Sequence, residues 1–145
     1  MTFFESFYKW NGKFVDVDMK LGPQCMDWMH QYLIDVFGMG KTALGGLTAL
    51  SVWNNFPSVI SGSQFKKISN GWWNVPNKGD VVFWGYPFGK YIDANGKTKY
   101  AGHVAIFNEG NWRRFTSIDQ NFPLHTPVHV QEHNYRGVKG WLRHI

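Results

Sequence analysis

The apolar periodicity of this chain changes once, and that change limits what it can fold into. From Cys25 the apolar residues recur as Trp28, Met29, Tyr32, Leu33 and Val36, the spacing of one helical face. Gly38 and Gly40 stop that helix. Pro23 suits its first position, where a fixed φ fits and the missing N–H is not needed. Leu47 to Phe56 reads as a second helix closed by Pro57, while Phe3 to Trp10 is compatible with a short amphipathic helix or a first strand. From Gly71 onward the texture is one of short strands and turns. Val81–Trp84 follows the turn Asn77-Lys78-Gly79-Asp80, then come His103 to Phe107, Phe115 to Asp119, Val128 to Glu132 and Val138 to Leu142. A turn at Asn108-Glu109-Gly110-Asn111 ends the second of these, and Tyr86 to Tyr100, with Pro87, Gly89 and Asn95-Gly96, is a long hairpin or surface excursion. Helices first and antiparallel strands afterwards define an α+β chain, with N-terminal helices packed on an antiparallel β-sheet.

A chain of 145 residues with 43% hydrophobic and 18% aromatic residues has enough apolar surface for one real core, so residues 1–145 read as a single domain. No repeat, linker or low-complexity tract interrupts it. The single cysteine cannot form an internal disulfide. The start Met1-Thr2-Phe3-Phe4-Glu5 lacks the charged and apolar pattern of a secretory signal, and no apolar run approaches membrane-spanning length. The expectation is a product made in the cytoplasm, with no membrane insertion. A net charge of +5 suits a polyanionic partner, either nucleic acid or an anionic bacterial wall.

Cys25 stands in the first turn of the longest helical pattern. A thiol there sees the positive end of the helix dipole and free backbone N–H groups, which favour the nucleophilic thiolate. Such a nucleophile needs a base, and the base needs an orienting group. Of the six histidines, His103 is best placed by local sequence: it opens the strand His103-Val104-Ala105-Ile106-Phe107 directly after Gly102. The next strand runs into Asp119-Gln120-Asn121. Alternation puts Asp119 and Asn121 on one face, with Ile118 and Gln120 turned away. If that face meets His103, Asp119 fixes its tautomer and Asn121 braces the pair. Without the cysteine, Asp119-Gln120-Asn121 would read as a polar strand end leading to Pro123.

Gln24-Cys25-Met26-Asp27, Gly79-Asp80-Val81-Val82-Phe83-Trp84, Gly102-His103-Val104-Ala105-Ile106 and Asp119-Gln120-Asn121, in that order, resemble the CHAP family of cysteine, histidine-dependent amidohydrolases and peptidases. The resemblance runs from about Asp16 to Leu142 and implies a papain-like α+β core. It further implies a catalytic domain of the kind found in bacteriophage endolysins and bacterial wall-remodelling enzymes, with peptidoglycan as the partner. By this resemblance Cys25 is the nucleophile, His103 the base and later acid, Asp119 the orienting carboxylate and Asn121 a further polar member. Many relatives carry glutamate where this chain has Asp119. The chemistry implied is acyl transfer, with the oxyanion held by backbone N–H groups near the Cys25 helix start and a side-chain donor from Gln24. A wall-binding domain or partner subunit would lie outside these residues.

Asp16 and Asp18 precede the cysteine and Asp27 follows it, three carboxylates around a short loop that suit a hard cation. Some phage members of the family bind Ca²⁺ with aspartates at these offsets from the cysteine. The resemblance therefore implies a structural calcium held by Asp16, Asp18 and Asp27 with the carbonyls of Lys20 and Gly22. Alone, Asp16 and Asp18 would be solvated loop residues, and Asp27 a favourable charge at a helix start. Gly38-Met39-Gly40-Lys41-Thr42 ends like a P-loop, but the position of the motif's first glycine is Asp35 and the segment follows a helix, so phosphate binding is rejected. His129 and His133, four apart on an expected strand, make no compact zinc pair. Lys66-Lys67 and Arg113-Arg114 are dispersed and no base-stacking motif organises them, which sets nucleic acid aside. Trp72-Trp73 could line a groove, with packing expected for at least one of them. The alternatives that stay open are a non-catalytic basic and aromatic binding module with Cys25 as a structural thiol, and a cysteine amidase for a non-wall substrate.

Overall fold

The computed structural model describes residues 1–17, 22, 24–40, 44 and 47–145. Helices α1 (Phe3–Trp10), α2 (Cys25–Phe37) and α3 (Ala49–Asn54) come first in the chain. They are followed by strands β1 (Phe65–Ser69), β2 (Val81–Trp84), β3 (Lys90–Ile92), β4 (Thr98–Tyr100), β5 (His103–Gly110), β6 (Arg114–Asp119), β7 (His129–Asn134) and β8 (Val138–His144). The main sheet has the order β1-β8-β2-β5-β6-β7 with every neighbouring pair antiparallel, and β3 and β4 form a separate hairpin. This is an α+β fold. Among the described residues no helix is long and apolar enough to cross a membrane.

The ambiguous first segment is a helix because its start is capped. The Thr2 hydroxyl accepts from the Glu5 N–H at 3.2 Å, and the Glu5 carboxylate accepts from the Thr2 N–H at 2.8 Å. Ser6 Oγ and Trp10 Nε1 then both donate to Asp35 Oδ2 at 2.9 Å, fastening α1 to α2. Helix α2 ends where Gly38 takes the left-handed conformation, φ 71°, with its N–H on the Ile34 carbonyl. It begins at Cys25 with Gln24 as its cap; Pro23, expected at the first turn, lies outside the described residues. The second helix is shorter than its pattern, starting at Ala49 behind a Thr48 cap.

Strand β1 escapes a reading by alternation. Lys66 and Lys67 sit side by side in it, and among the described residues it is an edge strand paired to β8 alone. Strand β5 runs through the expected turn to Gly110, absorbing the change as a register shift between Phe107 and Glu109. Helices cover one face of the sheet, where Val81, Phe83, Val104, Ile106, Ile118 and Leu142 pack with Trp28, Met29 and Leu33. Val82, Trp84, Ala105, Phe107, Phe115 and Trp141 form a second buried cluster on the other face. Helix α2 lies against the sheet, and Trp28 Nε1 donates to the Ile118 carbonyl at 2.9 Å. That seat carries Cys25, the first residue of α2, to the end of the sheet where β5 begins.

Candidate active site

His103 starts β5 and Asp119 ends β6. Since Phe107 pairs with Ser117 and Ile106 with Ile118, the odd-numbered residues of both strands share one face. His103 and Asp119 are diagonal neighbours on it, both buried, and the imidazole Nε2–H donates to Asp119 Oδ2 at 2.6 Å. A carboxylate only accepts, so Nε2 carries the proton and Nδ1 is left for another partner. Cys25 lies beside the same imidazole and favours its charged form. The backbone before His103 can be only glycine. Gly102 has φ 76°, and a Cβ there would collide with the Trp84 carbonyl oxygen.

Burial alone would drive His103 towards the neutral form. The hydrogen bond to Asp119 and the contact with Cys25 outweigh it and push its pKa up to about 10. Asp119 is held below the ordinary carboxylate range for the matching reason. Burial opposes its charge, but two imidazole donors more than offset that. The second donor is His133 on β7, whose Nε2–H reaches the same Asp119 Oδ2 at 2.9 Å. The Ser117 hydroxyl donates to Asp119 Oδ1. Trp84 and Phe122 wall both imidazoles, with ring centroids 4.9 Å and 5.0 Å from His103 and 4.7 Å and 5.2 Å from His133. Ligands of one tetrahedral zinc at 2.0–2.1 Å stand roughly 3.3 Å apart. The separations of 2.6 and 2.9 Å in the His103–Asp119–His133 cluster are those of hydrogen bonds instead.

The structure brings Cys25, His103 and Asp119 together and leaves Asn121 outside this chain of contacts. Strand β6 stops at Asp119, and Asn121 turns to φ 61° with its side-chain oxygen accepting from the His125 N–H at 2.7 Å. Gln120, expected only to point away, does so with a purpose. Its amide accepts from Val15 N–H at 2.7 Å and donates to the Val15 and Gln24 carbonyls at 2.8 and 2.7 Å, joining the strand end to the loop and the residue before Cys25. Gln24 is also held by its own N–H, which donates to Asp27 Oδ2 at 2.9 Å.

Around the expected cation loop, Asp27 is buried and its Oδ1 accepts from the Val17 N–H at 3.1 Å. Asp16 Oδ1 is buried with no hydrogen-bond partner among the described residues. Gly22 has φ 74°. Asp18 and Lys20 lie outside the described residues, as does Lys41-Thr42 of the rejected P-loop pattern.

Three of the other four histidines have partners elsewhere: His30 Nε2 is 2.9 Å from the Gly40 carbonyl, His129 Nδ1 is 2.6 Å from that of Pro127, and His144 stacks on Phe37 at 4.4 Å, while His125 is exposed. Trp72 and Trp73 are both exposed, edge to face at 5.6 Å, which corrects the expectation that one would be packed. They stand in the turn after edge strand β1, where no element covers them. A cavity of about 290 Å³ lined by Glu109, Arg114, Phe115 and Glu132 opens at the other end of β5 and β6, away from Cys25.

Serine 117 and His133 were missed from the sequence because only pairing of β6 with β7 brings the latter to Asp119. Their signal was position: Ser117 shares the Asp119 face by alternation, whereas His133 stands opposite Phe115 in the register.

No family model matches this sequence, and no curated protein does. Among solved structures, the chain is similar to the crystal structure of a wild-type endolysin, LysIME-EF1, with a TM-score of 0.73 and 25% identity over 97% of this chain. Its fold is endolysin-like. The chain spans 62% of the length of that endolysin chain.

Proposed function

We propose that this chain is a peptidoglycan hydrolase of the CHAP type with a papain-like core. It would cut an amide bond of the stem peptide or cross-bridge, as an N-acetylmuramoyl-L-alanine amidase or an endopeptidase, in the manner of a phage lysin. One arrangement carries the reading: Cys25 at the start of α2 stands beside His103, whose Nε2–H is held at 2.6 Å by buried Asp119. The likeness to an endolysin supports the choice of substrate.

In this reading the Cys25 proton already rests on His103, whose pKa is pushed up to about 10, and the sulfur attacks the amide carbonyl carbon. The oxyanion is met by the Cys25 backbone N–H in the first helical turn, where N–H groups have no intrahelical acceptor, with Gln24 as an additional donor. The imidazolium then gives its proton to the leaving amine. Water then cleaves the thioester with the now neutral His103 taking its proton, which restores the imidazolium and frees the Cys25 sulfur. Asp119 holds the Nε2–H tautomer throughout. Asn121, bonded to the His125 backbone, steadies the loop that follows Asp119.

The loop before Cys25 fits a hard cation: an orphaned buried oxygen of Asp16 stands in the segment joined to the Asp27 carboxylate through Val17. Asp16, Asp18 and Asp27, with the carbonyls of Lys20 and Gly22, would hold Ca²⁺. The ion would neutralise the carboxylates and pin the loop, without joining the reaction. Calcium chloride should raise the melting temperature of the wild type relative to EGTA and leave Asp16→Ala unmoved; an equal response of both proteins removes calcium from the reading.

The decisive experiment is mass spectrometry of Gram-positive peptidoglycan digested by wild type and by Cys25→Ala. New amine and carboxyl termini in the wild-type digest alone are expected, and they identify the bond. Unchanged muropeptides across several cross-bridge types would overturn the assignment.

A further inference from the structure

We infer that His133 is a positioning residue: by donating to the Asp119 oxygen that also receives His103, it fixes that carboxylate against the imidazole serving Cys25. The inference rests on the Cys25–His103 reading above.

The geometry is specific. Asp119 is wholly buried, so without donors its charge would be expensive to hold. It has three: His103 Nε2 and His133 Nε2 on Oδ2, and Ser117 Oγ on Oδ1. Aspartate has a short arm, and a carboxylate held by His103 alone could rotate about its own bonds and lose the imidazole. His133 approaches from β7, a different strand from the one that carries His103, so Oδ2 is clamped between β5 and β7. Its ring is itself fixed, with Trp84 at 4.7 Å and Phe115 stacked at 5.5 Å. The groups around the clamp are Cys25 from α2, His103 from β5 and Ser117 with Asp119 from β6, with Trp84, Phe115 and Phe122 closing the sides. His133 acts through Asp119, the carboxylate it shares with His103.

The test compares His133→Phe, which keeps the ring and removes the donor, with His133→Gln, whose amide N–H can reach the place of Nε2. Iodoacetamide alkylation of Cys25 at neutral pH and ¹⁵N resonances of the His103 ring are read in both, with His103→Ala as the reference. In His133→Phe the alkylation rate should fall about tenfold, the worth of one hydrogen bond to a charged group, and the His103 nitrogens should shift. His133→Gln should restore most of both. Circular dichroism and melting curves check that each variant folds. A folded His133→Phe with wild-type alkylation and unshifted His103 nitrogens overturns the inference. So does failure of a folded Gln variant to recover either signal. If His103→Ala itself alkylates like wild type, the Cys25–His103 reading fails instead, a result distinct from the other two.

Discussion

Asp119 carries more than any other side chain of the candidate site. Its carboxylate is fully buried, and its charge is tolerated because every donor aimed at it comes from a neighbouring strand or its own. The pH dependence of stability follows. His103, raised from 6.5 to about 10, contributes stability that is complete below the unfolded value and is lost as pH climbs between the two. The melting temperature should therefore fall across that window, and Asp119→Asn, which takes away the partner that raises His103, should flatten the fall. Asp119 has the opposite sign. Its depressed pKa contributes stability present above the ordinary carboxylate value of about 3.9 and lost as pH drops below it. Melting curves from pH 3 to pH 10 on the two proteins check both limbs. A wild-type curve no steeper than that of Asp119→Asn above pH 6.5 would contradict the ion-pair account.

At the scale of elements, the site is a meeting of three termini: the start of α2, the start of β5 and the end of β6. Gln120 is what ties two of them together. Gln120→Leu keeps the volume but strands the buried Val15 N–H and carbonyl and takes one donor from the Gln24 carbonyl, which should cost about 3 kcal/mol. It should also slow Cys25 alkylation, because the residue before Cys25 loses its tie to the end of β6. Denaturant unfolding and alkylation rates on one preparation measure both; a stable variant with normal thiol reactivity would show that the loop is held by other contacts. A second tie acts far from the thiol. Asp80 in the turn before β2 takes a bidentate contact from Arg143 on β8, with Nη2 at 2.7 Å and Nε at 3.1 Å, and also accepts the Asn77 N–H at 2.7 Å. Arg143→Leu should lower stability by about 2 kcal/mol in the same unfolding assay and leave alkylation of the folded protein unchanged.

Over the whole molecule the sheet is covered by helices on one side and closed by aromatic side chains on the other, where the histidine cluster is buried. The surface is basic but dispersed. Lys67 lies over Trp53 at 4.3 Å and Arg113 over Trp112 at 4.7 Å, so parts of that charge rest on aromatic faces. A net charge of +5 spread over the surface makes any adhesion to an anionic wall a screened, long-range effect. Pull-down on purified walls should weaken steadily from low salt to 0.5 M sodium chloride, and Cys25→Ala should bind as the wild type does. Binding that ignores salt would point to a specific surface, for which the exposed Trp72 and Trp73 are the first residues to change.

The sequence by itself determined the helix that carries Cys25, the strands that carry His103 and Asp119, and their common face. Apolar periodicity and alternation are local properties, and a helix stop at Gly38 or a strand at Val81–Trp84 needs no distant partner. Tertiary structure alone decided what those residues meet. Strand β1 is held as a strand by its pairing to β8, against its own polar pattern. Asp119 ends its strand because the following residue turns to brace the Cys25 loop across more than half the chain. His133 reaches the same carboxylate only through the register of β6 with β7. Hydrogen bonds between residues distant in sequence are fixed by strand order and register. Those are set by burying the whole set of apolar faces at once, and no window of the sequence contains them.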